Sequence, residues 1–220
     1  MKEPRSLLDV APVMPVISVR NASDASVALP IARALTAAGL PLVQVAIDSP
    51  GSLRAIELIA TEAPEVIVGA GGVDDVDQPA RARSAGAEFL IATGAGAPLR
   101  TAMCATELPH LSAASSATEA MELLEDGYTD MVLHPATAVG GVRYLRALAA
   151  FVPAARFCPS GGITAAQLTG YLAAPNVGCV SADWLTPADA VRRRDWDRIR
   201  RLAEVTLTLG KPTVDVPRAL

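Results

Sequence analysis

The chain has 220 residues, 51% hydrophobic, 19% charged and 4% aromatic, with a formal net charge of −4. That length buries the core of one domain, and the composition excludes a disordered chain, a collagen and a disulfide scaffold. The acidic balance gives no global pull toward nucleic acid or an anionic membrane.

In chain order, short apolar runs alternate with Ala/Leu-rich segments of helical period. The runs are VMPVISV from Val13, LVQVAID from Leu42, EVIVGAGG from Glu65 and AEFLIAT from Ala87. They continue with PHLSAAS from Pro109, TDMVLHP from Thr129, ARFCPSG from Ala155 and NVGCVSADW from Asn176. Continuous apolar runs mark strands covered on both faces, hence a parallel sheet. Helices are expected from Ser23 to Gly39, after Pro50, and up to Gly86. Further helices are expected from the Ser116/Glu119 capping-box pair to Gly127, and after Gly140 and Thr164. A single long last helix is expected to end at Gly210. Within it, Asp195 with Arg198 and Asp197 with Arg201 have ion-pair spacings.

Eight βα units predict a (β/α)8 TIM barrel, with a doubly wound sheet as the competitor. Residues 1–11 read as an N-terminal helix that plugs the barrel floor. One barrel domain over 1–210 and a loose or partner-docked tail over 211–220 are expected. Three cysteines, Cys104, Cys158 and Cys179, form a sparse, odd set suited to a reduced cytoplasm. Cys104 and Cys179 are core candidates, and Cys158 is a buried structural thiol. No apolar run reaches the roughly 18 residues of a membrane span. A soluble cytoplasmic protein is expected.

In this fold the site lies at the C-terminal ends of the strands. Strand alternation puts Val132 and His134 on one face, and Gln44, Ala46 and Asp48 on another shared face. Of 19 basic residues only two are lysines, Lys2 and Lys211, both in the tails. Chemistry that requires a buried lysine within the domain is therefore disfavoured; Lys211 reads as a surface residue, the alternative being that it reaches in from the tail, of this or another subunit.

The segments RFCPSGGIT, VIVGAGGV, HPATAVGGV and ADWLTPADAV together resemble the bacterial KDPG/KHG aldolases (2-keto-3-deoxy-6-phosphogluconate and 4-hydroxy-2-oxoglutarate aldolases) from about Pro12 to Leu207. The resemblance implies a class I aldolase-like barrel, usually a homotrimer, that cleaves its substrate to pyruvate and an aldehyde through a lysine Schiff base. It places the Schiff-base lysine at Val132 and the acid/base glutamate at Gln44. Its carboxylate-gripping arginine falls on Asp48. Further substrate-binding positions fall on Gly72, Thr93, Pro135 and Ser160. The phosphate loops fall on Gly161 and Gly162 and on Ser181, Ala182 and Asp183.

Backbone-shaping glycines are thus kept while the chemical groups are replaced. A Schiff base needs a neutral primary amine, which valine lacks. Glutamine cannot relay a proton, a function worth about 10²–10⁴ in rate. Asp48 and Asp183 repel an anion where the family attracts one; Asp183 also has the alternative of capping a short helix at Trp184. His134 reads as a new polar mouth residue. A metal held by His134, Asp48 and Asp183 is weighed and not expected, nor is a cofactor. Three readings follow: a non-catalytic binder of a small 2-oxo acid, another small ligand or a partner; a divergent lyase using other mouth residues; or an oligomeric scaffold.

Overall fold

A computed structural model describes residues 6–94 and 96–210. The expected tail over 211–220, Lys2 and Lys211 lie outside the described residues. Eight parallel strands run β1 (Val13–Ile17), β2 (Leu42–Ala46), β3 (Ile67–Val73), β4 (Phe89–Ala92), β5 (His110–Ala114), β6 (Asp130–Leu133), β7 (Arg156–Pro159) and β8 (Val180–Ala182). Each neighbour in sequence is a neighbour in the sheet, and β1 pairs with β8. The barrel closes at a narrow seam, where Phe157 bridges Val177 and the Gly178 amide donates to the Phe157 carbonyl at 3.1 Å. The eighth strand is shorter than its apolar run suggests because Val177 makes this isolated bridge.

Helices cover the outside. They are α1 (Ala28–Ala37), α2 (Ser52–Glu62), α3 (Gln78–Ser84), α4 (Ala97–Cys104), α5 (Ala117–Glu125), α6 (Gly141–Phe151), α7 (Leu168–Leu172), α8 (Ala188–Arg193) and α9 (Trp196–Leu209). Their apolar faces and the outward strand residues form one continuous core, including Ile31, Leu35, Ile56, Ile59, Leu145 and Ile199. The first helix is preceded by a 3-10 segment, Ala22–Val27, capped by the Asn21 side chain.

The expected single last helix is two helices. Arg194 adopts a left-handed conformation, φ 55°, and the Asp195 carboxylate accepts from the Arg198 amide at 3.0 Å to start α9. Asp195 is therefore a helix cap. Arg198 pairs instead with Asp189 at 2.5 Å, and Asp197 pairs with Arg200 at 3.6 Å rather than with Arg201. Helical periodicity continues across the break, which hid it.

The capping box at α5 forms as expected: the Glu119 amide donates to Ser116 Oγ. The Glu119 carboxylate accepts from the Ser115 amide at 2.6 Å, the Ser115 hydroxyl at 2.7 Å and the Ser116 amide at 3.1 Å. The Ser115 hydroxyl, followed by its amide, holds the Glu119 carboxyl below the ordinary range. Its stabilising contribution is thus present at neutral pH and lost as pH falls through that lowered value. Ser116→Ala is expected to cost about 1 kcal/mol in urea denaturation at neutral pH.

The barrel interior is a separate apolar cluster. Met14, Leu42, Ile67, Phe89, Ile91, Leu111, Val132, Cys158 and Cys179 point inward, and Leu7, Leu8 and Val10 close the floor. Of the N-terminal plug expected over residues 1–11, the described part, 6–11, holds a 3-10 turn, Leu7–Asp9, and no longer helix. Ser6 tethers it through a hydrogen bond to Asp130, and Asp9 through an ion pair with Arg156. Among the described residues no helix is long and apolar enough to cross a membrane.

Candidate functional site

The strand ends carry the site positions inward and upward. Val132 sits in the interior cluster, 1% exposed, flanked in register by Ala113 on β5 and Cys158 on β7. Among the described residues its surroundings are hydrocarbon and thiol, with no amine. Gln44 is buried one residue pair above Leu42 on β2, and its Nε2 donates to Ser181 Oγ on β8 at 3.1 Å. Gly71 on β3 makes room for this amide: a Cβ there would stand 2.3 Å from Gln44 Oε1. The Gln44–Ser181 pair is therefore a polar bridge across the barrel wall above the apolar plug. It neither holds charge nor passes a proton.

Gly72, the last but one residue of β3, has φ 72° beside a register shift, and nothing lies within 4 Å of an added Cβ, so open space faces it. Asp48 is exposed beyond the end of β2.

The loops after β6 and β7 are stitched together. The peptide between His134 and Pro135 is cis. The Ala136 amide donates to the Ser160 carbonyl at 2.7 Å, and Thr137 donates to the Gly161 carbonyl through both its amide, at 3.2 Å, and its hydroxyl, at 2.9 Å. Gly161 and Gly162 have φ of 97° and 74°. A Cβ on Gly162 would meet Thr137 Oγ1 at 2.2 Å, so this turn demands glycine twice over.

Two recesses flank the mouth. One, about 290 Å³, brings His134 and Thr93 together with Arg100, Ser115 and Glu119. His134 Nδ1 is buried there without a hydrogen-bond partner. Sequence reading missed Arg100 and Glu119; the only signal for Glu119 was its capping-box spacing. The other recess, about 400 Å³, lies between β1, α1 and α8 and is lined by Arg20, Asp24, Asp183, Arg192 and Arg194.

Asp183 is exposed, and its carboxylate caps no helix. The turn it begins is closed by the Thr186 amide donating to the Asp183 backbone carbonyl at 3.2 Å, and Ser181 and Ala182 belong to β8. Trp184 and Leu185 lie in that turn and not in a helix, which removes the capping role. Because His134 and Asp183 line separate recesses, they do not face a common ion. Among the described residues no three His, Cys, Asp or Glu side chains stand together as a metal cluster.

Cys158 and Cys179 are both buried in the barrel, and the Cys158 thiol together with burial pushes the Cys179 thiol well up. Both are inert packing groups. Cys104, expected in the core, is exposed at the last residue of α4.

Eight consecutive parallel βα units with Gly-rich loops at the strand ends define a (β/α)8 barrel with its candidate site at the mouth. The KDPG and KHG aldolase family model matches residues 5–202, and the chain belongs to that family. It is 40% identical over 198 residues to the KHG/KDPG aldolase of Escherichia coli K12, covering 90% of this chain and 92% of that one. It is 39% identical to the 2-dehydro-3-deoxy-phosphogluconate aldolase of Pseudoalteromonas atlantica over 193 residues, 88% of each chain. Among solved structures, it superposes on the KDPG aldolase of Legionella pneumophila, which holds pyruvate as a covalent carbinolamine intermediate. That match has a TM-score of 0.86 and 34% identity, and covers 91% of this chain and 96% of that one.

Proposed function

We propose that this member of the KDPG/KHG aldolase family has kept the barrel and lost Schiff-base catalysis, and serves as a non-catalytic binder of a small ligand or a partner. The observation that carries the reading is Val132, buried among hydrocarbon where the resemblance expects the reactive amine. No lysine occurs between residues 3 and 210 to replace it. Gln44, tied to Ser181, removes the proton relay as well. Asp48 and Asp183 place negative charge at two positions where a sugar-acid phosphate carries its own. At an effective dielectric of 20, two like charges 4 Å apart oppose each other by about 4 kcal/mol.

The family resemblance also supports a cytoplasmic homotrimer. A second reading, a lyase of different chemistry, draws support from the unpaired, buried Nδ1 of His134 beside Glu119 and Arg100. One experiment separates these readings from the family reaction. The protein is treated with pyruvate and borohydride and read by intact mass. No adduct is expected; a stable reduced-imine adduct on the folded protein overturns the proposal. Turnover of KDPG without such an adduct favours the second reading.

A further inference from the structure

At the opposite end of the barrel from the mouth, three reactive side chains meet. Cys104 Sγ lies 3.6 Å from His110 Nε2 and 3.5 Å from the Tyr128 hydroxyl, and that hydroxyl lies 2.9 Å from His110 Nε2. His110 Nδ1 is 2.8 Å from the Leu108 carbonyl, an acceptor only, so Nδ1 carries the proton and Nε2 is left with its lone pair toward the thiol and phenol. Burial and the neighbouring thiol raise Tyr128 to about 12, so its hydroxyl remains a donor. Ser112, on the same face of β5 as His110, is fully buried, and its hydroxyl lies close enough to favour the Tyr128 oxygen. An open groove of about 630 Å³ leads to the cluster from solvent.

We propose that Cys104 is a modification site in which His110 takes the thiol proton and the sulfur undergoes exchange with a low-molecular-mass disulfide.

The geometry permits the transfer, because every group keeps a partner before and after it. With the proton on His110, Nε2–H and the Tyr128 hydroxyl both donate to the thiolate. Glu107, Asp126 and Asp130 line the groove, and each faces an arginine: Arg83 at 3.8 Å, Arg100 at 2.7 Å and Arg156 at 3.7 Å, so the charges around the cluster are balanced in pairs. The thiolate then attacks one sulfur of the disulfide. The S–S bond breaks as the new S–S bond to Cys104 forms, and the departing thiolate takes the proton from His110. Cys104 is oxidised to a mixed disulfide and one sulfur of the small disulfide is reduced to a thiol.

The other two cysteines are buried in the barrel, so the site is specific within this chain. Family chemistry at the mouth plays no part in it.

Native protein is incubated with oxidised glutathione, and intact mass with peptide mapping reads the product. One adduct is expected, on Cys104, and none on Cys104→Ser. The rate with dithiodipyridine is then compared near neutrality with that of a free small-molecule thiol. Cys104 is expected to react about tenfold or more faster, and His110→Gln to remove that advantage. Tyr128→Phe, which keeps the ring packing, lowers the rate by less. No adduct on the native protein overturns the proposal. So does a rate in the unmutated protein no faster than that of the free small-molecule thiol, a measurement that depends on no variant folding.

Discussion

Val132→Lys is expected to create a borohydride-trappable adduct with pyruvate where the parent chain gives none. The position is surrounded by Ala113, Cys158 and the rest of the interior cluster. An amine placed there loses its hydration, and full burial can lower a lysine to about 5–6, which leaves it neutral and nucleophilic near pH 7. The longer side chain also overpacks the plug, at a cost of about 1–3 kcal/mol. Imine formation and turnover should separate. Gln44 still offers no proton relay, so cleavage stays slow until Gln44→Glu is added, which should raise it by about 10²–10⁴. The wall tolerates that change, because the Ser181 hydroxyl can turn to donate to a carboxylate where it now accepts from the amide. An adduct on the single variant, read by intact mass, means that the cavity still admits a 2-oxo acid. Failure of the folded double variant to form any adduct means that the mouth itself has been remodelled beyond its missing amine.

The barrel was legible in the sequence because each buried parallel strand is a continuous apolar run, and because eight of them recur with glycine or capping signals between. The inward face at Val132 and Gln44 followed from the period of two. What stayed hidden was set by tertiary contacts that leave no local pattern. Arg194 breaks a segment whose helical periodicity continues on both sides, and only the Asp195 cap marked the restart. Asp183 looked like a cap from its spacing, yet the turn closes through its carbonyl. Cys104 was placed in the core by residue type alone. Its solvent exposure and its meeting with His110 and Tyr128 depend on how α4 ends against β5 and the approach to β6, separations of 6 and 24 residues that no short motif encodes.

The inward plug is also where stability should be most sensitive, and Phe89→Ala is the substitution expected to expose it. Phe89 is fully buried inside the barrel, and its ring occupies the volume that a side chain on Gly69, its register partner on β3, would need: a Cβ on Gly69 would come within 2.4 Å of the ring. Glycine on one strand and phenylalanine on the next therefore make one packing unit. Removing the ring leaves a void bounded by a bare backbone and by strands held in register on both sides, so collapse is restricted. A loss of about 3–5 kcal/mol is expected in urea or thermal unfolding. For a domain of this size that corresponds to a Tm lower by roughly 6–20 °C. A loss below about 1 kcal/mol would mean that the interior is loosely filled. Because Phe89 and Val132 share the cluster, the two sites should couple: Phe89→Ala relieves the overpacking introduced by Val132→Lys, and the double variant should be more stable than the sum of the single losses allows. Strict additivity would show that the plug does not act as a packed unit.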